Sequence, residues 1–312
     1  MNITDPLGQS RFAADCRDIL ISDTQESKTF ALVKDGTTIL SETYNYDADG
    51  CIRIAGLAQT LSQSLYGELK EGVQSHASAT FDFQIGGETV FTKHVYAMRL
   101  QNPKDPDGQK RVLAMGTNGV CYPGQPLLLT VIGEVEVTLS RRSGSVATCT
   151  IGQDGAVTTT DCDPRKLFPD KYGRGTYLDF GDEVERIILP QPCEELVTVR
   201  FLNRYDMPES LTARYMTEKP SVQDDTAMMY GRKVRFSVQS ATEYTIVSGR
   251  LHTERQYDTW QDLLTSRKAQ LLWRGEWQDI VVTKSNYTRQ RRKMYYQGIE
   301  ISFQTANPYL AL

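Results

Sequence analysis

The densest acidic stretches are "DFGDEVE" and "PCEEL". The first of them supplies the candidate carboxylates Asp182, Glu183 and Glu185, and Glu209 is the fourth candidate. Two carboxyl groups held about 5 to 10 Å apart can hydrolyse a glycosidic bond, one as acid and the other as base or nucleophile. A strand entering "VERIIL" would set Glu183 and Glu185 on one face. No aromatic cluster stands beside them to stack on a sugar ring, so a solvated strand or loop is the stronger expectation. A second polar concentration is "VTVRFLNRYDMPESLTARYM", Val197 to Met216, with Asn203, Arg204, Tyr205, Asp206 and Glu209. Its composition suits an active site or a sugar-binding loop, and suits a β-hairpin equally.

Trp260, Trp273 and Trp277 are the three tryptophans, and all lie in the last region. Together with Tyr257 they read as a ligand platform, a packed core or a subunit interface, since large rings dominate the last two. Trp260 belongs on the core face of a helix. "YTRQRRKMYY" could grip phosphates through Arg289, Arg291, Arg292 and Lys293 while Tyr287 and Tyr295 stack bases. It sits between two expected strands, so a charged hairpin tip is the simpler reading, with a protein contact next. His76, His94 and His252 have no partner at metal-site spacing, and no phosphate loop, dinucleotide fingerprint or nucleophile elbow occurs. The six cysteines stand more than four residues apart and are read as reduced, buried small residues. In an oxidising compartment, Cys149 and Cys162 would be the first pair to bridge. No catalytic residue, cofactor or metal is therefore expected. The candidate interface or ligand surface is Trp273, Trp277, Tyr257, Arg204, Arg291 and Arg292.

The elements that must position these groups are mostly strands. Period-two alternation recurs between turn signals, with Asp35-Gly36, Gly86-Gly87 and Arg274-Gly275 as hairpin turns. "GLAQTLSQSLYGELK" changes period: Leu57, Leu61, Leu65 and Leu69 predict one face of a helix. "ERQYDTWQDLLTS" predicts a second helix through Tyr257, Trp260 and Leu264. "PRKLFPDKYGRGTY" reads as a long loop, and Gly144 and Asp154-Gly155 as strand breaks. In "VTVRFLNRYDMPESLTARYM", Val197, Val199 and Phe201 form one strand face and Leu211, Ala213 and Tyr215 the next. Asn203 to Pro208 is the connection. "TEKPSVQDD" reads as the entry to a third region.

These elements predict a mainly β chain of two or three β-sandwich or β-barrel-like domains with short amphipathic helices. The divisions are 1–110, β-rich with one helix; 111–220, central and β; and 221–312, β with one short helix. With 35 basic and 39 acidic residues the chain lacks the basic surface of a dedicated nucleic-acid binder. Residues 221–312 hold 13 basic and 9 acidic residues against 22 and 30 in the rest, an asymmetry that favours head-to-tail association. The N-terminus has no secretory pattern, and no apolar run approaches the ~18 residues of a membrane span. The chain is thus expected in the cytoplasm, and away from membranes.

Three pieces carry a resemblance: "SETYNYDADGCIRIAGLAQTLSQSL", "VTVRFLNRYDMPESLTARYM" and "YDTWQDLLTSRKAQLLWRGEWQDIVVTKSNY". In this order they resemble tail-associated structural proteins of phages and prophages of gut bacteria. The family pattern has an early Asp-Gly turn and helix, a central Leu-Asn-Arg-aromatic hairpin, and a late helix before a Trp-bearing strand pair. It usually has Gly after the hairpin aromatic, where this chain has Asp206, followed by Met207 and Pro208. The resemblance implies a β-rich, non-enzymatic subunit of a tail or baseplate-like assembly. Its partners would be copies of itself and neighbouring tail proteins, and its final place the virion or tail-like particle. A carbohydrate- or cell-surface-binding module, with surface glycans as ligand, is the alternative, and a glycoside hydrolase the lesser one.

Overall fold

The computed structural model describes residues 2–22, 24, 26–102, 105, 107–114, 119–192, 195–249, 251, 254–286 and 298–306. Arg291 and Arg292, with the rest of the basic run 287–297, His252 and Cys193, lie outside the described residues. Strands hold 52% of the chain and helices 9%, so the architecture is mainly β, built of curled half-barrel sheets.

In chain order the first strands are β1 (Asn2–Ile3), β2 (Ile19–Ser22), β3 (Lys28–Lys34), β4 (Thr37–Tyr44) and β5 (Ile52–Ile54). Helix α1 (Leu57–Ser64), β6 (Gly72–Val73), β7 (Ser78–Ile85) and β8 (Glu88–Tyr96) follow. Next come β9 (Gly119–Cys121), β10 (Leu128–Arg141), β11 (Gly144–Asp161), α2 (Pro164–Leu167), β12 (Tyr177–Asp179) and β13 (Glu185–Ile188). The last set is β14 (Val197–Leu202), β15 (Pro208–Ala213), β16 (Tyr215–Met229), β17 (Arg232–Val247), α3 (Glu254–Leu264), β18 (Ala269–Trp273), β19 (Glu276–Asn286) and β20 (Glu300–Thr305).

The strands form four sheets, ordered β1-β2-β5, β4-β3-β7-β8, β6-β11-β10-β12-β13-β9 and β15-β14-β18-β19-β20-β17-β16. The two small sheets and α1 share one core, around Phe30, Phe81 and Phe83. The six-stranded sheet encloses a second, around Val137, Leu139 and Phe180. The seven-stranded sheet covers a third with α3, around Phe201, Phe303 and Leu263. This last sheet joins β14 and β15 to strands more than fifty residues further along the chain.

The expected hairpins form where a left-handed pair reverses the chain. Asp35 and Gly36 stand at φ 46° and 82°, which matches the twist of paired strands. The strand break expected at Asp154-Gly155 is instead a bulge inside β11. Ile132 pairs with Val157 and Glu134 with Gly152, so four residues of β11 stand opposite the single Gly133 of β10. Gly133 and Gly152 both adopt positive φ, and a Cβ on Gly152 would lie 2.2 Å from the Gly133 carbonyl oxygen. Only glycine allows that approach, which bends the pair. Beyond the bend, Ile132 and Val157 pack in the first core while Val135 and Ile151 pack in the second.

Two helical expectations change. Leu57 and Leu61 line α1, but Leu65 is already extended at φ −120°, and Leu69 lies beyond it. Tertiary bonds take over there: the Tyr66 amide donates to the His76 carbonyl and the Gly67 amide to the Asp206 carbonyl. The loop expected over "PRKLFPDKYGRGTY" begins with α2, where the Asp163 side chain caps the Arg165 amide and Pro164 occupies the first turn. α3 forms as expected, with Tyr257, Trp260 and Leu263 on its buried side.

"TEKPSVQDD" is no boundary. It is the middle of β16, paired residue by residue with β17, with Pro220 opposite Thr242. Proline is tolerated because β16 is the outer strand of its sheet.

Candidate functional site

The connection Asn203–Met207 is a hairpin turn, as its residue types predict, but it does not face water. Asn203, Tyr205, Asp206, Met207 and Glu209 are all buried. Tyr205 and Met207 sit in the first core, with the Tyr205 ring 5.3 Å from that of Phe12. Both strands of the hairpin thus pack in the third core while its turn lies in the first.

Asn203 organises the turn. Its Oδ1 accepts from the Tyr205 and Met207 amides, and its Nδ2 donates to the Leu113 carbonyl and to Glu209 Oε2. The side chain thereby uses both donors and both acceptor positions. Glu209 Oε1 accepts from Arg186 Nη2 at 2.9 Å, an ion pair with both partners out of water. Arg186 lies across Gly119, where a Cβ would come within 2.7 Å of its Cδ. This pair ties the six-stranded sheet to the hairpin. Arg204 makes the third tie: its Nη2 bonds Asp262 of α3 at 2.9 Å, its Nη1 the Gln101 carbonyl, and its own carbonyl accepts from the Arg99 amide. Asp206, at φ 54°, accepts on its carbonyl from Gly67, where a Cβ would stand 2.5 Å from that oxygen. Its carboxylate meets Arg267 Nη1 at 3.2 Å and Arg99 Nε at 3.7 Å. Burial nonetheless holds the Asp206 carboxyl above its ordinary value, against the opposing pull of the two arginines.

Two of the carboxylates considered for hydrolysis, Glu209 and Asp182, are committed elsewhere. Glu209 is neutralised by Arg186. Asp182 Oδ2 accepts from the Arg111 and Val112 amides and clamps a loop. Glu183 stands in a turn at φ 62°, ahead of the strand that was expected to carry it. His94 meets Thr80 and Tyr96, and His76 stacks on Tyr66. Cys16, Cys121, Cys149 and Cys162 are free thiols. Burial pushes the Cys121 thiol up to about 12, which keeps it protonated and unreactive.

The ring candidates do not share one surface. Tyr257 and Trp260 are buried against the third core. Trp273 packs partly on that core, with the Arg274 guanidinium 5.7 Å from its ring. Trp277 lies on the other face, covered by the Arg200 guanidinium at 4.2 Å. Arg200 is itself fixed by Gln270, and Gln270 by Asp279, each at 2.7 Å. The face of Trp277 is thus occupied by a cation, which stacks there favourably.

The most exposed apolar group was not singled out from the sequence. β20 pairs with β17 only over Tyr244–Val247, facing Glu300–Phe303. Beyond that, Lys219–Met229 and Arg232–Glu243 pair only with each other among the described residues. At ~3.3 Å per residue this two-stranded ribbon runs roughly 35 Å past the sheet. Its turn is Tyr230-Gly231 at φ 51° and 74°. Tyr230 is fully exposed, and Met228 and Met229 are 70% and 51% exposed. The signal was available as an aromatic-Gly pair between alternating segments, but Pro220 and Asp224-Asp225 obscured the first strand. Glu243, bound by Lys284 Nζ at 3.0 Å, fixes the ribbon's base.

Fold and site together define a mainly β protein whose sheets are locked around one buried hairpin turn and whose outer strand pair continues into a ribbon with an apolar tip. A scan against protein-family models finds no match to this chain, and a search of curated proteins finds none. Among the described residues no helix is long and apolar enough to cross a membrane, and no group of three or more His, Cys, Asp or Glu is placed to hold a metal ion.

Proposed function

We propose that the chain is a non-enzymatic structural subunit of a phage-tail-like or baseplate-like assembly and acts through protein–protein interfaces. The observation that carries this reading is the β16–β17 ribbon with Met228, Met229 and Tyr230 exposed at its tip. A two-stranded ribbon is marginal in water by itself, and methionine and tyrosine are residues that interfaces bury. Packing against a neighbour supplies what the ribbon lacks. The excess of basic residues after 220 and of acidic residues before it supports a head-to-tail arrangement of copies. The resemblance of the three sequence pieces to tail-associated proteins points the same way. The glycan-binding alternative draws little from the ring positions, since Tyr257 is buried and Arg200 covers Trp277.

The test is light scattering on the purified chain over a range of concentrations, beside a Met228→Ser/Met229→Ser/Tyr230→Ser variant. The expected result is a mass that rises with concentration in the parent and stays at one chain in the variant. A parent that remains a strict monomer, with no affinity for neighbouring gene products, contradicts the reading.

A further inference from the structure

A cleft of about 430 Å³ opens between α1 and the segment after β8, lined by Ala14, Ala58, Gln59, Gln63, Arg99 and Arg267 among others. Ala14, Ala58 and Leu100 give it an apolar floor. Gln59 and Gln63, both exposed, stand one helical turn apart on α1, so their amides share one rim. Among the described residues, no acidic side chain lines the cleft. Among the described residues, the carboxylate within ion-pair distance of its two cations is that of Asp206, which lies behind them, 3.2 Å from Arg267 Nη1 and 3.7 Å from Arg99 Nε.

The charge in this cluster does not balance. Arg204 and Asp262 neutralise each other at 2.9 Å, which leaves Arg99 and Arg267 against Asp206 and one positive charge over. Arg99 is mostly withdrawn from water, and its buried Nε and Nη2 make no hydrogen bond among the described residues. Its basicity is lowered, first by burial and then against the pull of Asp206 by the neighbouring arginines. A half-buried excess cation is costly unless an anion meets it. Planar guanidinium groups pair with carboxylates through parallel N–H···O bonds. The amides on the rim can donate to a second carboxylate oxygen.

We propose that this cleft is a binding site for a carboxylate, held between Arg99 and Arg267 with the Gln59 and Gln63 amides on its rim. The carboxylate arrives either on a small diacid or on an acidic side chain of another protein. The site stands whether or not the chain assembles through its ribbon, because it is built entirely from residues around the buried turn.

Isothermal titration with glutarate, with glutaramide, and with an acetylated and amidated Gly-Glu-Gly peptide tests it on the full chain. Saturable binding of glutarate or of the peptide, with none of glutaramide, supports the site. Glutarate alone binding assigns a small diacid, and tighter binding of the peptide assigns an acidic side chain. Arg267→Gln is expected to weaken binding about tenfold or more, the loss of one charge-assisted pair. Gln63→Glu is expected to do the same, by placing a competing carboxylate at the rim. Both positions are exposed to solvent, so circular dichroism is expected to report an unchanged fold. If neither ligand saturates, if glutaramide binds equally well, or if Arg267→Gln leaves the affinity unchanged, the proposal is overturned.

Discussion

At the scale of single residues, the buried polar groups around Asn203 decide more than any exposed one. Glu209 and Arg186 form an ion pair inside the molecule. Such pairs add little over a well-packed apolar replacement, but removing one partner strands the other charge. Glu209→Leu is therefore expected to cost about 3–5 kcal/mol. Combined with Arg186→Met, most of that cost is expected to return, as urea unfolding midpoints of the single and double variants measure. A double variant as unstable as Glu209→Leu contradicts this account of the pair. Asp206 makes a different prediction. Its folded-state pKa lies above the ordinary 3.8, so the folded protein binds that proton more tightly than the unfolded chain. The resulting stability is present below the ordinary value and is lost as pH rises through the raised one. Between neutral pH and about pH 4, the parent should thus gain stability over Asp206→Asn as acid is added. Unfolding midpoints of the two proteins across that range measure the difference. A pH-independent gap, or one that widens the other way, counts against the burial of this carboxyl. None of these partners was legible in the sequence. Asn, Asp and Pro after an alternating run specify a turn equally well in water or in a core. What placed this turn inside was its contact with Gly67, Arg99, Leu113, Arg186 and Asp262, all distant along the chain.

At the scale of elements, alternation and turn chemistry carried the reading furthest. The hairpins at Asp35-Gly36, Gly86-Gly87 and Arg274-Gly275 and the helix over Tyr257 and Trp260 follow from local pattern alone. The pattern failed where a strand breaks local rules with a tertiary reason. β11 runs through Asp154-Gly155 because a bulge absorbs the turn residues, and β16 runs through Pro220 because it is an outer strand. α1 stops early because Tyr66 and Gly67 bond elsewhere. The bulge gives the clearest element-scale test. Gly152 combines φ 86° with backbone 2.2 Å from the position of a Cβ. Gly152→Ala is expected to destabilise the protein by about 1–3 kcal/mol or more, through strain and the forced separation of β10 from β11. The same substitution at Gly155, where space is open but φ is 71°, should cost less. Thermal unfolding of the two variants compares them, and equal losses would remove the close approach at Gly133 as the cause.

At the scale of the whole molecule, the buried hairpin turn and the bent β10–β11 pair both join one core to the next, while the β16–β17 hairpin reaches outward. The first arrangement ties the sheets together, and under the proposed function the second is the element that meets a neighbour. The charge division along the chain was legible from composition, whereas the exposed tip needed the register of β16 on β17 to be seen. Assembly through the ribbon has a direct physical signature, since an unsupported strand pair exchanges its amide hydrogens rapidly and a buried one does not. Hydrogen exchange over residues 219–243, compared between dilute monomer and the assembled fraction, is the measurement that bears on this most directly. The account predicts that protection of the ribbon rises in the assembled fraction while that of the three cores is unchanged. An assembled fraction whose ribbon exchanges as fast as in the monomer would contradict it.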